Sequence, residues 1–236
     1  MTFRRFITGI FALALAGSLS AGAAQALSVD LISNGGVETG NLSGWSTTSN
    51  GSGESFESQS GSFLNPALSG NYDVSYDPNY RGVSTLTQFF TVPDQVISAT
   101  FNFTQQIGLY GYFDIPDQQF TASIVDSLGT VISQVYSTAS SGLQIGSGTA
   151  STLSFDLTSL MQANAGNSLG VQFSLEAQRW SMTATLDDIA MMVETPAAVP
   201  LPPTIWMMLA ALGLFGFLGW KRREGGNSAS FTANLA

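Results

Sequence analysis

Between residues 96 and 105 the sequence VISATFNFTQ sets Ile97, Ala99, Phe101 and Phe103 on alternate positions, with polar neighbours between them. A period of two puts these side chains on one face of a pleated strand, so that face must be buried against something. The same character recurs along the middle of the chain. Strands are expected over 84–92 (STLTQFFTV), with Pro93, Asp94 and Gln95 as a turn, and over 119–126 and 130–137. The last two flank Ser127, Leu128 and Gly129, the mark of a hairpin with a short glycine-containing loop. Further strands are expected over 152–157, 169–177 and 182–193, and a short helical turn over 158–165. The stretches 46–64 and 109–118 are expected to be loops. No segment of the middle carries a long helical period. Many short strands punctuated by Gly, Ser, Asn and Asp predict an all-β fold, an antiparallel β-sandwich.

The two ends are unlike this middle. Arg4 and Arg5 precede an apolar run over 6–16, and small residues lead to Ala24-Gln25-Ala26. This three-part layout predicts a signal peptide over 1–26, with the arginine pair also compatible with the twin-arginine route. The ectodomain is expected over 27–195. Pro196, Pro200, Pro202 and Pro203 then make 196–203 an extended spacer. Residues 204–220 contain no charge and carry Trp206 and Trp220 near the two ends. At about 1.5 Å per residue they span roughly 25 Å as a helix, which predicts a transmembrane helix. Lys221, Arg222 and Arg223 form a basic stop cluster that begins a cytoplasmic tail over 221–236.

Charge and missing residues narrow the chemistry. Segment 27–195 holds 15 of the 16 acidic residues and two basic ones, Arg81 and Arg179, a net charge of −13. Such a surface repels phosphate backbones, so nucleic acid is not expected as a partner. The chain has no cysteine and no histidine, and its middle has no lysine. Ser-His-Asp triads, cysteine nucleophiles, ordinary zinc sites and Schiff-base chemistry in the middle are thereby excluded. Paired carboxylates are the chemistry of glycoside hydrolysis, but with 15 acidic residues some pair is inevitable, and Asp73 and Asp77 follow no recognised spacing.

Val199, Pro200, Leu201 and Pro202, the apolar run and the basic cluster resemble PEP-CTERM sorting signals, most closely the VPLPA variant. The resemblance covers 196–223. It implies a membrane-embedded exosortase that processes the tail during export, following signal peptidase at the other terminus. Pro203 stands where the variant usually has alanine, and 13 residues follow Arg223. A plain single-span membrane anchor is the alternative.

Near the start of the ectodomain, Asn34-Gly35-Gly36-Val37-Glu38-Thr39-Gly40 and then Gly44-Trp45 resemble the opening of galactose-binding-like jelly rolls. Leu186-Asp187-Asp188-Ile189 fits the acidic pair of their final strand. The resemblance implies a jelly roll whose first and last strands are neighbours. It also implies that Glu38 and Asp187 meet at a structural calcium ion completed by backbone oxygens. The alternative is a solvated turn residue and an edge-strand charge.

Aromatic faces stack on sugar rings while carboxylates accept hydroxyl hydrogen bonds. Tyr110, Tyr112 and Asp114, with Phe113 and Asp117 nearby, are accordingly the expected sugar contact; a loop packing its own aromatics is the alternative. Trp45 and Trp180 are weighed likewise, with Trp45 expected in the core. The function expected is that of a non-catalytic, exported cell-surface or extracellular-matrix protein. The alternatives are a carbohydrate-binding module for extracellular polysaccharide and, behind it, a glycoside hydrolase.

Overall fold

The computed structural model describes residues 26–50, 54–62, 66–77, 81–109, 118–140, 146–177, 182–197, 208–217 and 220. They fall into two units, Ala26–Pro196 and the terminal segments. The described residues of Ala26–Pro196 form twelve strands: β1 (Leu27–Asp30), β2 (Ser46–Asn50), β3 (Glu57–Ser60), β4 (Tyr72–Tyr76), β5 (Gly82–Thr91), β6 (Ser98–Leu109), β7 (Gln119–Asp126), β8 (Val131–Ser137), β9 (Gly146–Ser147), β10 (Ser151–Asp156), β11 (Ser168–Ala177) and β12 (Met182–Thr195). A one-turn helix, α1 (Thr158–Ala163), follows β10. In the terminal unit 208–217 are helical, and no helix among the described residues is long and apolar enough to cross a membrane. The expected span over 204–220 lies partly outside the described residues.

Every strand pair is antiparallel, and the strands form two sheets. One has seven strands in the order β10-β6-β12-β4-β3, with β1 also on β12 and β9 also on β6. The other has five, in the order β2-β5-β11-β7-β8. The protein is therefore the all-β, two-sheet sandwich that its alternation predicts. Phe101 and Phe103 on β6 face Phe173 on β11 across the interior, at ring separations of 6.1 and 5.1 Å. Phe120 on β7 stacks on Phe173 at 6.0 Å. All four rings are fully buried, and burial of each stabilises the fold by about 1.5–3 kcal/mol.

Several details differ from the sequence expectation, and strands β1, β4 and β9 lie where none was expected. Ile97 continues the alternation but is 48% exposed, because β6 begins only at Ser98. The expected loop 46–64 contains two strands, β2 (STTSN) and β3 (ESQS). Both lie at sheet edges with almost every side chain in solvent, so neither needs an apolar face. The hairpin between β7 and β8 is as expected: Gly129 takes φ +81°, and the Asp126 carboxylate accepts the Leu128 and Thr130 N–H groups, each at 2.9 Å.

Register sets the composition of each outer face. On the seven-stranded sheet, one outward row runs Glu57–Ser75–Thr185–Gln106, and the next pairs Gln59 with Asp73 and Asp187 with Thr104 and Thr152. On the five-stranded sheet, one outward row runs Ser46–Thr87–Gln172–Ser123–Gln134 and its neighbour Thr48–Thr85–Ser174–Thr121–Ser137. The first sheet thus carries carboxylates outward, while these two rows of the second carry none.

Candidate functional site

The segment 34–45 folds into a tight loop because its sequence permits backbone shapes that most residues resist. Asn34, Val37, Gly40 and Gly44 all have positive φ, and asparagine and glycine tolerate that region best. The Asn34 amide donates to Asn41 O at 2.9 Å, and Thr39 Oγ1 donates to Asn34 Oδ1 at 3.0 Å. The Trp45 indole is buried and donates to Asn34 O at 3.1 Å, so Trp45 is a core residue that also closes the loop. Gln88, buried on the inner side of β5, accepts from Ser33 N at 2.7 Å and donates to Ser33 O at 2.9 Å.

This loop lies against a bulge in β12. The register of β12 on β6 shifts between Asp187 and Ala190, and Asp188 takes φ +49°. Ile189 N donates to Gly35 O at 3.2 Å. A Cβ on Gly35 would fall 1.8 Å from Ile189 O, so only glycine allows the two backbones this close. A Cβ on Gly36 would stand 3.6 Å from Asp187 Oδ1 and 3.9 Å from Asp188 Oδ1. Strand β1 pairs with β12, so the first and last strands are neighbours, as the resemblance implies.

Glu38 and Asp187 come together on one loop, residues 69–72. Glu38 Oε1 accepts the Asn71 and Tyr72 N–H groups at 3.0 and 3.2 Å, and Oε2 accepts the Asn71 side-chain amide at 3.3 Å. These donors hold its carboxyl below the ordinary value of 4.5. Asp187 is fully buried in the middle of the seven-stranded sheet. Its Oδ2 accepts Ser69 N–H at 2.8 Å and its Oδ1 accepts Asp188 N–H at 2.7 Å. Burial nevertheless pushes it from 3.8 up to about 6, with the charges of Asp188 and Asp73 adding to the rise.

Beside this loop the outer face opens into a cleft of ≈ 20 Å³ lined by Gln59, Ser60, Gly61, Pro66, Asp73, Gln106 and Thr185. Asp73 is buried there, and desolvation raises its carboxyl above 3.8. Gln106 Nε2 donates to Gly148 O at 2.8 Å, and Ser75 Oγ donates to Gln59 Oε1 at 2.9 Å. The cleft is lined by amides, hydroxyls and one carboxylate and has room for about one water molecule. No group of three or more metal-ligating side chains occurs among the described residues.

Residues 198–223 match the PEP-CTERM protein-sorting motif. The motif marks the chain as an exported, surface-associated protein. Among curated proteins no sequence matches the chain. Among solved structures, TmCBM61 in complex with β-1,4-galactotriose is similar at 14% identity and a TM-score of 0.48, over 69% of this chain and 97% of that one. The K3 cleaved adhesin domain of Lys-gingipain from Porphyromonas gingivalis w83 is similar at 14% identity and a TM-score of 0.46, over 69% and 98%. A carbohydrate-binding module of the β-sandwich superfamily is similar at 11% identity and a TM-score of 0.45, over 67% and 61%. These are similarities of fold.

Within the PEP-CTERM match, Val199, Pro200, Leu201, Pro202, Lys221, Arg222 and Arg223 lie outside the described residues. So do Tyr110, Tyr112, Asp114 and Trp180. The connection carrying the two tyrosines leaves β6 at Leu109, which pairs with Met182 at the start of β12. Sequence reasoning singled out Glu38 and Asp187 but missed Ser69, Gln59 and Gln106, and Asp73 only as half of an unspecific pair. The available signal for Asp73 was its place in Tyr72-Asp73-Val74-Ser75-Tyr76, an alternating strand with a carboxylate on the outward face.

Proposed function

We propose that this protein is a non-catalytic, polysaccharide-binding β-sandwich displayed outside the cell and processed through its C-terminal signal. The observation that carries the reading is the order of parts: a sandwich that ends at Pro196, followed directly by a sorting motif over 198–223. In this reading signal peptidase removes 1–26. The prolines of a VPLPA-type motif, Val199 to Pro202, present extended backbone to an exosortase-like membrane enzyme. An apolar helix over 204–220 holds that motif at the membrane face, and Lys221, Arg222 and Arg223 stop translocation. The ectodomain is a galactose-binding-like jelly roll, a reading that the pairing of β1 with β12 supports.

Polysaccharide binding is supported by the polar outer face of the seven-stranded sheet, where Gln59, Asp73, Gln106 and Thr185 border one cleft. Tyr110, Tyr112 and Asp114 belong to the proposal as stacking and accepting groups. The chain has no histidine or cysteine with which to turn such a cleft into a conventional nucleophilic site. Calcium enters as a structural ion. Asp187 and Asp188 offer hard oxygen atoms beside Gly36, and a cation would relieve the cost of the buried Asp187 charge. Glu38 joins them only by releasing Asn71 and Tyr72.

The test is fractionation of the native host, with mass analysis of both termini and a pull-down on the host's extracellular polysaccharide. A surface-extracted form lacking 1–26 and the residues beyond Trp206, retained by the polysaccharide, is the expected result. Recovery of the intact tail at the surface would replace processing by a single-span anchor. A processed form that no polysaccharide retains would leave a matrix component without a ligand.

A further inference from the structure

Phe89 points outward from β5 on the five-stranded sheet and is 46% exposed. Its cross-strand partner is Gly170, followed along the same row by Val125 and Val131. A Cβ on Gly170 would lie 2.9 Å from Phe89 Cδ1 and 3.0 Å from Val125 Cγ2. The ring therefore leans over the glycine toward Val125. Val125 is fully buried yet does not belong to the interior cluster, so it is covered from outside the sandwich. The neighbouring row supplies hydroxyl and amide groups, with Gln172 Nε2 donating to Thr87 Oγ1 at 3.2 Å. None of the residues on this row, on the Phe89 row or on the Thr85 row is charged; the first carboxylate on this face is Glu176, one row beyond Thr85.

An aromatic ring over a cross-strand glycine has a structural use, because it shields the exposed backbone. Shielding accounts for Phe89 but not for three rows free of charge in a segment of net charge −13. A second copy is poorly suited to cover the face. Like-charged domains repel, so a second copy with the same net charge approaches the face at a cost. An uncharged ligand pays no such penalty. A pyranose ring fits the chemistry: its C–H face packs on a phenyl ring, and its hydroxyls exchange hydrogen bonds with the accessible Ser46, Gln172 and Gln134 of the neighbouring row, on which Thr87 and Ser123 are buried.

We propose that the outer face of the five-stranded sheet, centred on Phe89 over Gly170, is a platform for a neutral polysaccharide chain, separate from the cleft on the seven-stranded sheet. The proposal rests on the polysaccharide-binding reading above and adds where an uncharged polymer binds.

The experiment is affinity electrophoresis of the protein purified from its host, in gels containing a neutral galactan, a neutral β-glucan or polygalacturonate. The variants are Phe89→Ala, Phe89→Trp, Gln172→Ala and, in the cleft, Gln106→Ala. At least one neutral polymer should retard the wild type and polygalacturonate should not. Phe89→Ala should weaken retardation about tenfold, and Phe89→Trp should keep it. Circular dichroism checks the fold, and Gln172→Ala, also weakened, carries the test if Phe89→Ala does not fold. Retardation lost in Gln106→Ala but kept in Phe89→Ala and Gln172→Ala would overturn the platform and leave the polysaccharide reading standing. A wild type retarded by no polymer would overturn both. A change in molar mass by light scattering in Phe89→Ala, without a change in retardation, would make the face a protein interface and overturn the platform.

Discussion

Glu38 and Asp187 hold the same loop: Glu38 accepts the N–H groups of Asn71 and Tyr72, and Asp187 accepts that of Ser69. One carboxylate comes from the first loop of the domain and the other from its last strand. The two differ in surroundings, so they respond to pH with opposite signs.

Glu38 lies in solvent and is held below its ordinary value by hydrogen bonds from the loop. A depressed carboxylate contributes stability that is present above the unfolded value of 4.5 and is lost as pH falls through the lower folded value. We expect the melting temperature of the wild type to fall between pH 5 and pH 3, and that of Glu38→Gln to fall less. Equal slopes for the two proteins would show that the loop is held without this charge.

Asp187 behaves in the reverse way. Its carboxyl is raised from 3.8 to about 6, so the folded state holds its proton more tightly than the unfolded chain does. Stability from this group is complete below pH 3.8 and declines as pH rises toward 6. The melting temperature should therefore drop between pH 4 and pH 6.5 through this residue, and Asp187→Asn should remove that component. A bound calcium ion would select the ionised form, so its stabilising effect should be larger at pH 7 than at pH 5. A melting temperature indifferent to both calcium and chelator at pH 7 would count against the ion.

Phe173 touches Phe101, Phe103, Phe120 and Trp45, which makes it the meeting point of the two sheets. Its truncation to alanine leaves a void that four surrounding rings cannot close. Phe173→Ala should lose about 3–5 kcal/mol in chemical denaturation. Phe89→Ala, on the outer face, should lose about 1 kcal/mol or less. A small loss at Phe173 would mean that the rings repack.

These contrasts show which parts of the molecule its sequence announces. Strands β7, β11 and β12 each bury one face, so apolar residues recur at alternate positions and the period is visible, as it is over 99–103 of β6, while on β5 the buried Ser84 and Gln88 interrupt it. Strands β2 and β3 are edges in solvent, and STTSN and ESQS satisfy them as well as any apolar pattern would. Ile97 shows the opposite failure: the alternation runs one step past the point where pairing begins. The loop formed by Asn34 to Trp45 was legible as a motif because positive φ and close approach demand particular residues. What the two carboxylates bind was not legible. Their partners are the backbone N–H groups of Ser69, Asn71 and Tyr72, and every residue but proline supplies such a donor.

Gly35 and Gly129 separate two reasons for glycine, and substitution by alanine tells them apart. Gly129 sits at φ +81° in the β7–β8 turn with nothing within 4 Å of an added Cβ. Gly129→Ala meets only the conformational penalty, about 1–2 kcal/mol. Gly35 has no positive φ, but its added Cβ would lie 1.8 Å from the carbonyl oxygen of Ile189. Backbone cannot yield as a flexible side chain can, so the first loop must lift from the β12 bulge. Gly35→Ala should therefore cost about 3 kcal/mol or more. It should also loosen the grip on loop 69–72, because Gly35 and Glu38 share one loop and Ile189 and Asp187 one bulge. Hydrogen exchange reads this directly: the Ser69, Asn71 and Tyr72 amides should lose protection in Gly35→Ala and keep it in Gly129→Ala. Protection kept in both would mean that the carboxylates hold the loop independently of the contact between Gly35 and Ile189.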